Sequence, residues 1–496
     1  MANSCRFFLW LFAICCSLMG VQFVYSIQFS LGSPLFKNEL KLEQSVIAII
    51  LATAGPISGF VVQPVVGVWS DGCRARWGRR RPFILAGTIG CVIGMALIGA
   101  SVDLGVLLGD RRDGATPHEH VWGIVLAISG LLIMNVFVNT IQGPARAIVL
   151  DLVPHDKQQD GNAMVSGVMG LSAIIANVIG VPMFDTDEPY RNLFFLGVGC
   201  VILTVLPTLI VAKEAPAVEE EEDEISREHR GVGGAFYKIY YAFRTIPKKM
   251  IIVVVVYFFS WCAYSPFMIY LTSFFSDNLY GGGVHTHKGI QMGMYGLAIF
   301  SFSQWLFSLV LAPFTRCLPV QWVYFITQII ATAGYLSFYY LQRIANHTMA
   351  VGITYAVMAI IAINFTTMNS LPFGLVRGIT GTKNAGLYMG VLNAASVVAQ
   401  TATNMLAGLV LTLTATHPSD GSALSSSLSS SEASLSSLAP AGSVQNVTNA
   451  IVFGGGLSVL ASICALFLRE ERAANVPGTA TNPEESMPLI NDTKRS

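Results

Sequence analysis

Charge is what this sequence has least of. Only 12% of its 496 residues are charged, where soluble domains carry about a quarter, so a water-facing surface cannot be assembled around a core that takes in the 53% of residues that are hydrophobic. A formal net charge of zero argues against nucleic acid as a partner. The nine cysteines all lie in apolar runs or in the basic segments between them, which excludes an extracellular disulfide framework. None of them is spaced as a zinc site. The histidines sit in loops, with His118/His120 and His285/His287 as the only close pairs, so no metal or other cofactor is expected. No nucleophile has a histidine or metal partner, which speaks against an enzyme. Re-entrant filters and charge rings are missing too, which speaks against a channel. No aspartate or glutamate lies deep within any apolar run.

What is there is a series of twelve apolar runs, at about 7–30, 46–69, 83–102, 122–150, 163–183, 193–212, 250–275, 291–314, 320–341, 350–373, 386–414 and 450–468. Each approaches the roughly 20 residues needed to cross a 30 Å hydrocarbon core. The expected fold is an all-α integral membrane protein of twelve transmembrane helices. Arg6 ahead of the first run resembles a secretory signal, but that run is too long for one and is read as a retained helix. With the N-terminus cytosolic, inward segments hold 21 Lys and Arg against 7 in outward ones, as the positive-inside rule requires. Both termini are then cytosolic. The sequons at Asn346 and Asn446 fall in outward loops as glycosylation candidates, and a third at Asn364 lies inside a run.

Residues 1–212 and 250–468 each contain six runs, and 213–249 between them, with Glu219 to Glu224, reads as a cytosolic linker. Segment 415–449 is a Ser-rich outward loop, and 469–496 a polar disordered tail.

The run at 122–152 carries Asn135, Asn139, Gln142 and Arg146. At about 100° per residue these offsets fall within roughly 60° of one another, forming one polar stripe. A guanidinium in hydrocarbon costs at least about 3 kcal/mol, so the stripe should face a wet cavity or a partner helix. It is read as the wall of a solute pathway. Asn393, Gln400 and Asn404 repeat the offsets 0, 7 and 11 and are candidates for the opposite wall. Trp261 and Tyr264 are candidates for an aromatic platform under a sugar ring, or for core packing. Gly143-Pro144 should bend the stripe's helix.

After the second run, G-V-W-S-D71-G-C-R-A-R-W-G-R79-R80-R81-P-F puts five arginines at a membrane edge. They can anchor to anionic headgroups, or Asp71, Arg79 and Arg80 can form a latch that breaks when the protein changes state. This segment resembles the loop 2–3 signature of the major facilitator superfamily, in the lengthened form found in sucrose transporters and their animal relatives. Gly20-Val21-Gln22-Phe23 is similar to the G-V-Q-F of that group's first helix. Asn139-Thr-Ile-Gln142-Gly143-Pro144-Ala-Arg146-Ala with Asp151-Leu152 resembles N-x-x-Q-G-P-x-R-A…D-L of helix 4. Leu371-Pro372-Phe373 and Gly390-Val391-Leu392-Asn393 resemble P-F-A-L-V…G-V-L-N of helices 10 and 11, and Ser276-Asp277-Asn278 weakly resembles the end of helix 7.

The resemblance implies two six-helix bundles rocking about a central site. It implies a proton-coupled sucrose transporter, with lipid as its solvent and a monomer as the working unit. Gln22, Asn135, Asn139, Gln142, Arg146, Trp261, Tyr264, Asn393, Gln400 and Asn404 are then the expected sugar contacts. One position departs. Helix 4 in sucrose transporters usually opens with an aspartate thought to carry the proton, and this chain has Asn135 there, which cannot titrate. Asp151 and Asp277 are the remaining candidate carriers. A passive facilitator and a non-transporting sugar sensor stay open as alternatives. Glu485 to Ile490 resembles an acidic dileucine sorting signal, which leaves both the plasma membrane and a vacuolar or lysosomal membrane open.

Overall fold

Hydrocarbon offers no hydrogen bonds, so each apolar run must close its backbone bonds internally. The computed structural model describes residues 2–71, 73–112, 114–154, 157–214, 232–281, 285–414 and 446–468, and among these there are helices and no strands. The helices are α1 Ala2–Pro34, α2 Gln44–Asp71, α3 Arg81–Gly99, α4 Ser101–Leu107, α5 Val121–Leu152, α6 Gln158–Met183, α7 Pro189–Val211, α8 Val232–Arg244, α9 Lys248–Ser273, α10 Thr286–Cys317, α11 Val320–Leu341, α12 His347–Leu413 and α13 Thr448–Ala465. Short π-helical turns, Leu35–Glu39 and Phe274–Leu279, extend α1 and α9. Loop 415–445 and the tail from 469, with its dileucine signal, lie outside the described residues.

Eleven helical segments among the described residues are long and apolar enough to cross a bilayer, one fewer than the twelve runs. The difference is α11. It is a 22-residue helix at the expected place, but Gln321, Gln328 and its threonines lower its apolarity. Gln328 and Thr332 are matched inside the protein: Gln328 Nε2 donates to Ser458 Oγ at 2.7 Å, Thr332 shares that hydroxyl at 2.7 Å, and Asn364 Nδ2 donates to Gln328 Oε1 at 3.0 Å. Asn364 is therefore a buried strut.

Two expected spans appear as one helical element, α12, of 67 residues. A straight helix of that length would be ~100 Å long, yet its two ends lie together. Gln342, just before it, accepts from Asn446 at 3.0 Å, and Thr414, just after it, accepts from Asn449 at 2.9 Å. The chain therefore doubles back between the two apolar segments His347–Val376 and Gly390–Leu413.

The helix that carries the polar stripe, α5, is held mainly by α3, with α1 and α2 on its other flanks. Gly94 sets the α3 to α5 distance, because a Cβ there would lie 2.5 Å from the backbone nitrogen of Met134. No larger residue fits without the helices parting. Contacts between the first and second parts of the chain run from α1 to α9, α2 to α12 and α6 to α10. These leave α5 facing inward between α1, α2 and the far side.

Candidate functional site: a polar cavity lined by α1, α2, α5 and α9

On α5 the amides of the stripe bond partly to their own helix and partly to their neighbours. Asn135 Nδ2 donates to Leu131 O and Asn139 Nδ2 to Asn135 O, both at 2.8 Å, which fixes each amide with its oxygen outward. Asn139 Oδ1 accepts from Gln63 Nε2 of α2 at 2.8 Å, and Gln142 Oε1 accepts from the same group at 3.1 Å. The Tyr25 hydroxyl of α1 donates to Gln142 Oε1 at 3.2 Å and to Asn139 Oδ1 at 3.4 Å. Room for this comes from α2, where a Cβ at Gly55 would lie 3.3 Å from Asn135 Oδ1 and one at Gly59 3.2 Å from Asn139 Oδ1.

Among the described residues three groups here lack partners. Asn135 Oδ1 and Gln28 Oε1 are buried without a hydrogen bond. Arg146 is exposed rather than buried, although it sits within electrostatic range of the hydroxyls of Tyr25 on α1 and Tyr257 on α9. Its exposure is thus to a space between the two parts of the chain. Among the described residues it has no ion pair and no hydrogen bond. Pro144, two residues earlier and inside the helix, has no N–H and leaves the Thr140 carbonyl without its helical donor.

Across the cavity the residues are aromatic. Trp261 is half-buried, edge-on to Tyr257 at 6.1 Å and to Tyr264 at 5.5 Å. Its Nε1 lies near the Tyr257 hydroxyl without closing a hydrogen bond of normal geometry. Of the two readings of Tyr264, platform or core packing, the structure takes the second. Its ring is buried and stacked on Phe365 at 4.1 Å, so it packs the cluster behind Trp261. Asn404 Nδ2 donates to Ser265 Oγ at 2.6 Å while its buried Oδ1 stays unpartnered. Gln400 is half-buried and Asn393 exposed, neither with a side-chain hydrogen bond among the described residues, and the same holds for half-buried Gln22.

The α5 stripe was legible from its spacing, whereas Tyr25, Gln28, Ser58 and Gln63 were not singled out. A signal existed: Gly55, Gly59 and Gln63 recur every four residues, one face of α2.

At one end of the cavity Asp151 takes Arg79 Nη2 at 2.8 Å and Arg80 Nε at 3.4 Å, and Arg80 Nη1 donates to Ser70 Oγ at 2.6 Å. The Glu214 carboxylate, just past α7, accepts the backbone N–H groups of Arg80 at 2.8 Å and Arg81 at 3.2 Å and that of Arg79 besides. Asp71 closes α2, and its side chain lies outside the described residues. At the other end Lys37 bonds Asp277, Ser33 Oγ meets Ser273 Oγ at 3.0 Å, and Gln44 Nε2 donates to Ser273 Oγ at 3.3 Å. Asn346 is exposed and caps α12, accepting from Met349 N at 3.1 Å, while Asn446 is half-buried and bonded to Asn278 and Gln342.

Residues 10–403 match the Major Facilitator Superfamily. The chain belongs to that superfamily. Its curated relatives include sucrose transport protein SUC4 of Arabidopsis thaliana, 28% identical over 416 residues, covering 77% of this chain and 80% of the relative. Sucrose transport protein SUT5 of Oryza sativa subsp. indica is 28% identical over 458 residues, covering 83% and 82%. Among solved structures, nucleoside transporter NupG has a TM-score of 0.61 at 14% identity, covering 93% of this chain and 98% of that one. The inward-open xylose transporter XylE from E. coli has a TM-score of 0.59 at 13% identity, covering 93% and 96%. These likenesses establish a multi-pass transporter fold, not an enzyme.

Proposed function

We propose that this superfamily member is a secondary transporter of sucrose or a related sugar, working by alternating access between two six-helix halves, 1–212 and 250–468, joined by the linker 213–249. The single observation that carries the reading is the α5 stripe, whose amides bond to α1 and α2 while Arg146 reaches toward Tyr257 on α9. Amides, a bidentate cation and an aromatic ring are what a polyhydroxylated solute needs. The names of the curated relatives support sucrose as the first solute to test. A two-half construction is supported by an offset: Ser33 pairs with Ser273 and Lys37 with Asp277, each pair 240 residues apart, at the tips of two helices that both end in a π-turn.

In this reading the termini are cytosolic, Asn346 and Asn446 are outward glycosylation sites, and the protein works as a monomer in the plasma membrane or a vacuolar or lysosomal membrane. The Arg79, Arg80 and Asp151 cluster, with Asp71 beside it, is the cytosolic latch. Coupling is to protons, with Asp277 or Asp151 as carrier. Passive facilitation is the second reading, favoured by Asn135, since both carboxylates are already ion-paired.

Radiolabelled sucrose uptake at outer pH 5 and 7.5, with and without a protonophore, separates the two. Uptake that rises with acidity and collapses with protonophore is the expected result. Indifference to both makes the protein a facilitator, and no uptake of any sugar by correctly inserted protein removes the transport reading and leaves the sensor.

A further inference from the structure

Among the described residues several ionisable groups at the helix ends have charged or hydrogen-bonding partners, and Arg146 in the cavity has none. Asp151 faces Arg79 and Arg80, Asp277 faces Lys37, Asp103 faces Arg112 and Arg191, and Glu214 holds the backbone at the start of α3. Arg146 has no such partner among the described residues, and the groups in its electrostatic reach, Tyr25 and Tyr257, are phenols that carry no charge at neutral pH. Among the described residues the cavity therefore holds one uncompensated positive charge, that of Arg146. While water reaches the guanidinium this is tolerable. When the halves close over a solute the water leaves, and the cost of the lone charge rises steeply. A solute that brings its own negative charge removes that cost, and a neutral sugar does not.

Two unpartnered acceptors beside α2 say what else the solute carries. Asn135 Oδ1 and Gln28 Oε1 are buried acceptors with no donor, flanking Gly55, and they match hydroxyl groups rather than a second anion. Eleven residues separate Asn135 from Arg146, ~16 Å along the helix axis, a span that a two-ring solute hydrogen-bonded at each end would fill. We propose that the site selects an acidic sugar, its carboxylate on Arg146 and its hydroxyls on Asn135 and Gln28. This rests on the sugar-transport reading and narrows its substrate class.

The test uses the full chain reconstituted in vesicles and a matched pair of probes, sucrose and its 6-carboxylate, in chloride and in chloride-free sulfate buffer. The expected result is at least tenfold tighter half-saturation for the carboxylate in either buffer, falling to within about twofold in Arg146→Gln and partly kept in Arg146→Lys. Sucrose bound as tightly as the carboxylate overturns the proposal while leaving sugar transport standing. So does sucrose uptake that needs chloride, because an inorganic anion then supplies the counter-charge. If folded wild-type protein moves neither probe, the sugar reading fails and the proposal with it.

Discussion

The two walls of the cavity are built on opposite plans. The α1, α2 and α5 wall is a net of amides and hydroxyls in which Gln63 and Tyr25 both serve Asn139 and Gln142, with Arg146, unpaired among the described residues, beside them. On the α9 and α12 wall a nest of rings predominates, Trp261 braced by Tyr257, Tyr264 and Phe365, beside the amides of Gln400 and Asn404. A hydrogen-bond net reads the positions and charge of a solute's polar groups, while a ring offers a flat apolar surface and little discrimination. Selectivity should therefore sit on the first wall and general sugar affinity on the second.

The comparison predicts an order of effects. Arg146→Ala should be the most severe, lowering uptake of an acidic sugar by about 100-fold, since taking away the charged partner of the solute carboxylate in a closing site costs several kcal/mol; wild-type rates in a folded mutant would take α5 out of the pathway. Trp261→Ala should lower apparent affinity for every sugar by about tenfold without changing their ranking, and Trp261→Phe should recover most of it. A changed ranking would mean that the aromatic wall selects too. Gln63→Ala should cost about fivefold by leaving amide oxygens on α5 short of a donor, and here the ranking should change. Gly94→Ala acts on neither wall directly. By pushing α3 from α5 it should destabilise the protein by about 2 kcal/mol, seen as a lower unfolding temperature in detergent.

Much of this was legible beforehand because membrane helices follow length and apolarity. The α5 stripe needed only the helical period, whereas Asp151, read as a candidate proton carrier at a helix end, shows itself as the partner of Arg79 and Arg80 only in the fold. What was not legible depends on which surfaces meet. Gln63 and Tyr25 carry no charge and belong to helices read only for length and motif, so their role emerges only when α1 and α2 are laid against α5. The choice between platform and core packing for Tyr264 stayed open for the same reason, because nothing in W-C-A-Y says that Phe365 will stack on it. Glu214 was hidden in the charged run after α7, and its clamp on the start of α3 needs both ends in view.

The smallest expected effect tests the one place where the two halves match residue for residue. Lys37 and Asp277 are both partly exposed, so as a strut their pairing is worth at most about 1 kcal/mol. Lys37→Met and Asp277→Asn should then each change uptake by less than about fivefold, in the same direction, and the reversed pair Lys37→Asp with Asp277→Lys should restore most of the loss. A strut does not care which partner carries which charge. A proton carrier does: if Asp277→Asn abolishes acid-driven uptake while Lys37→Met spares it, the carboxylate does more than hold the helix tips together. The titratable role that Asn135 cannot fill would then lie at the mouth of the pathway, so a proton would be taken up where the halves part rather than where the sugar binds.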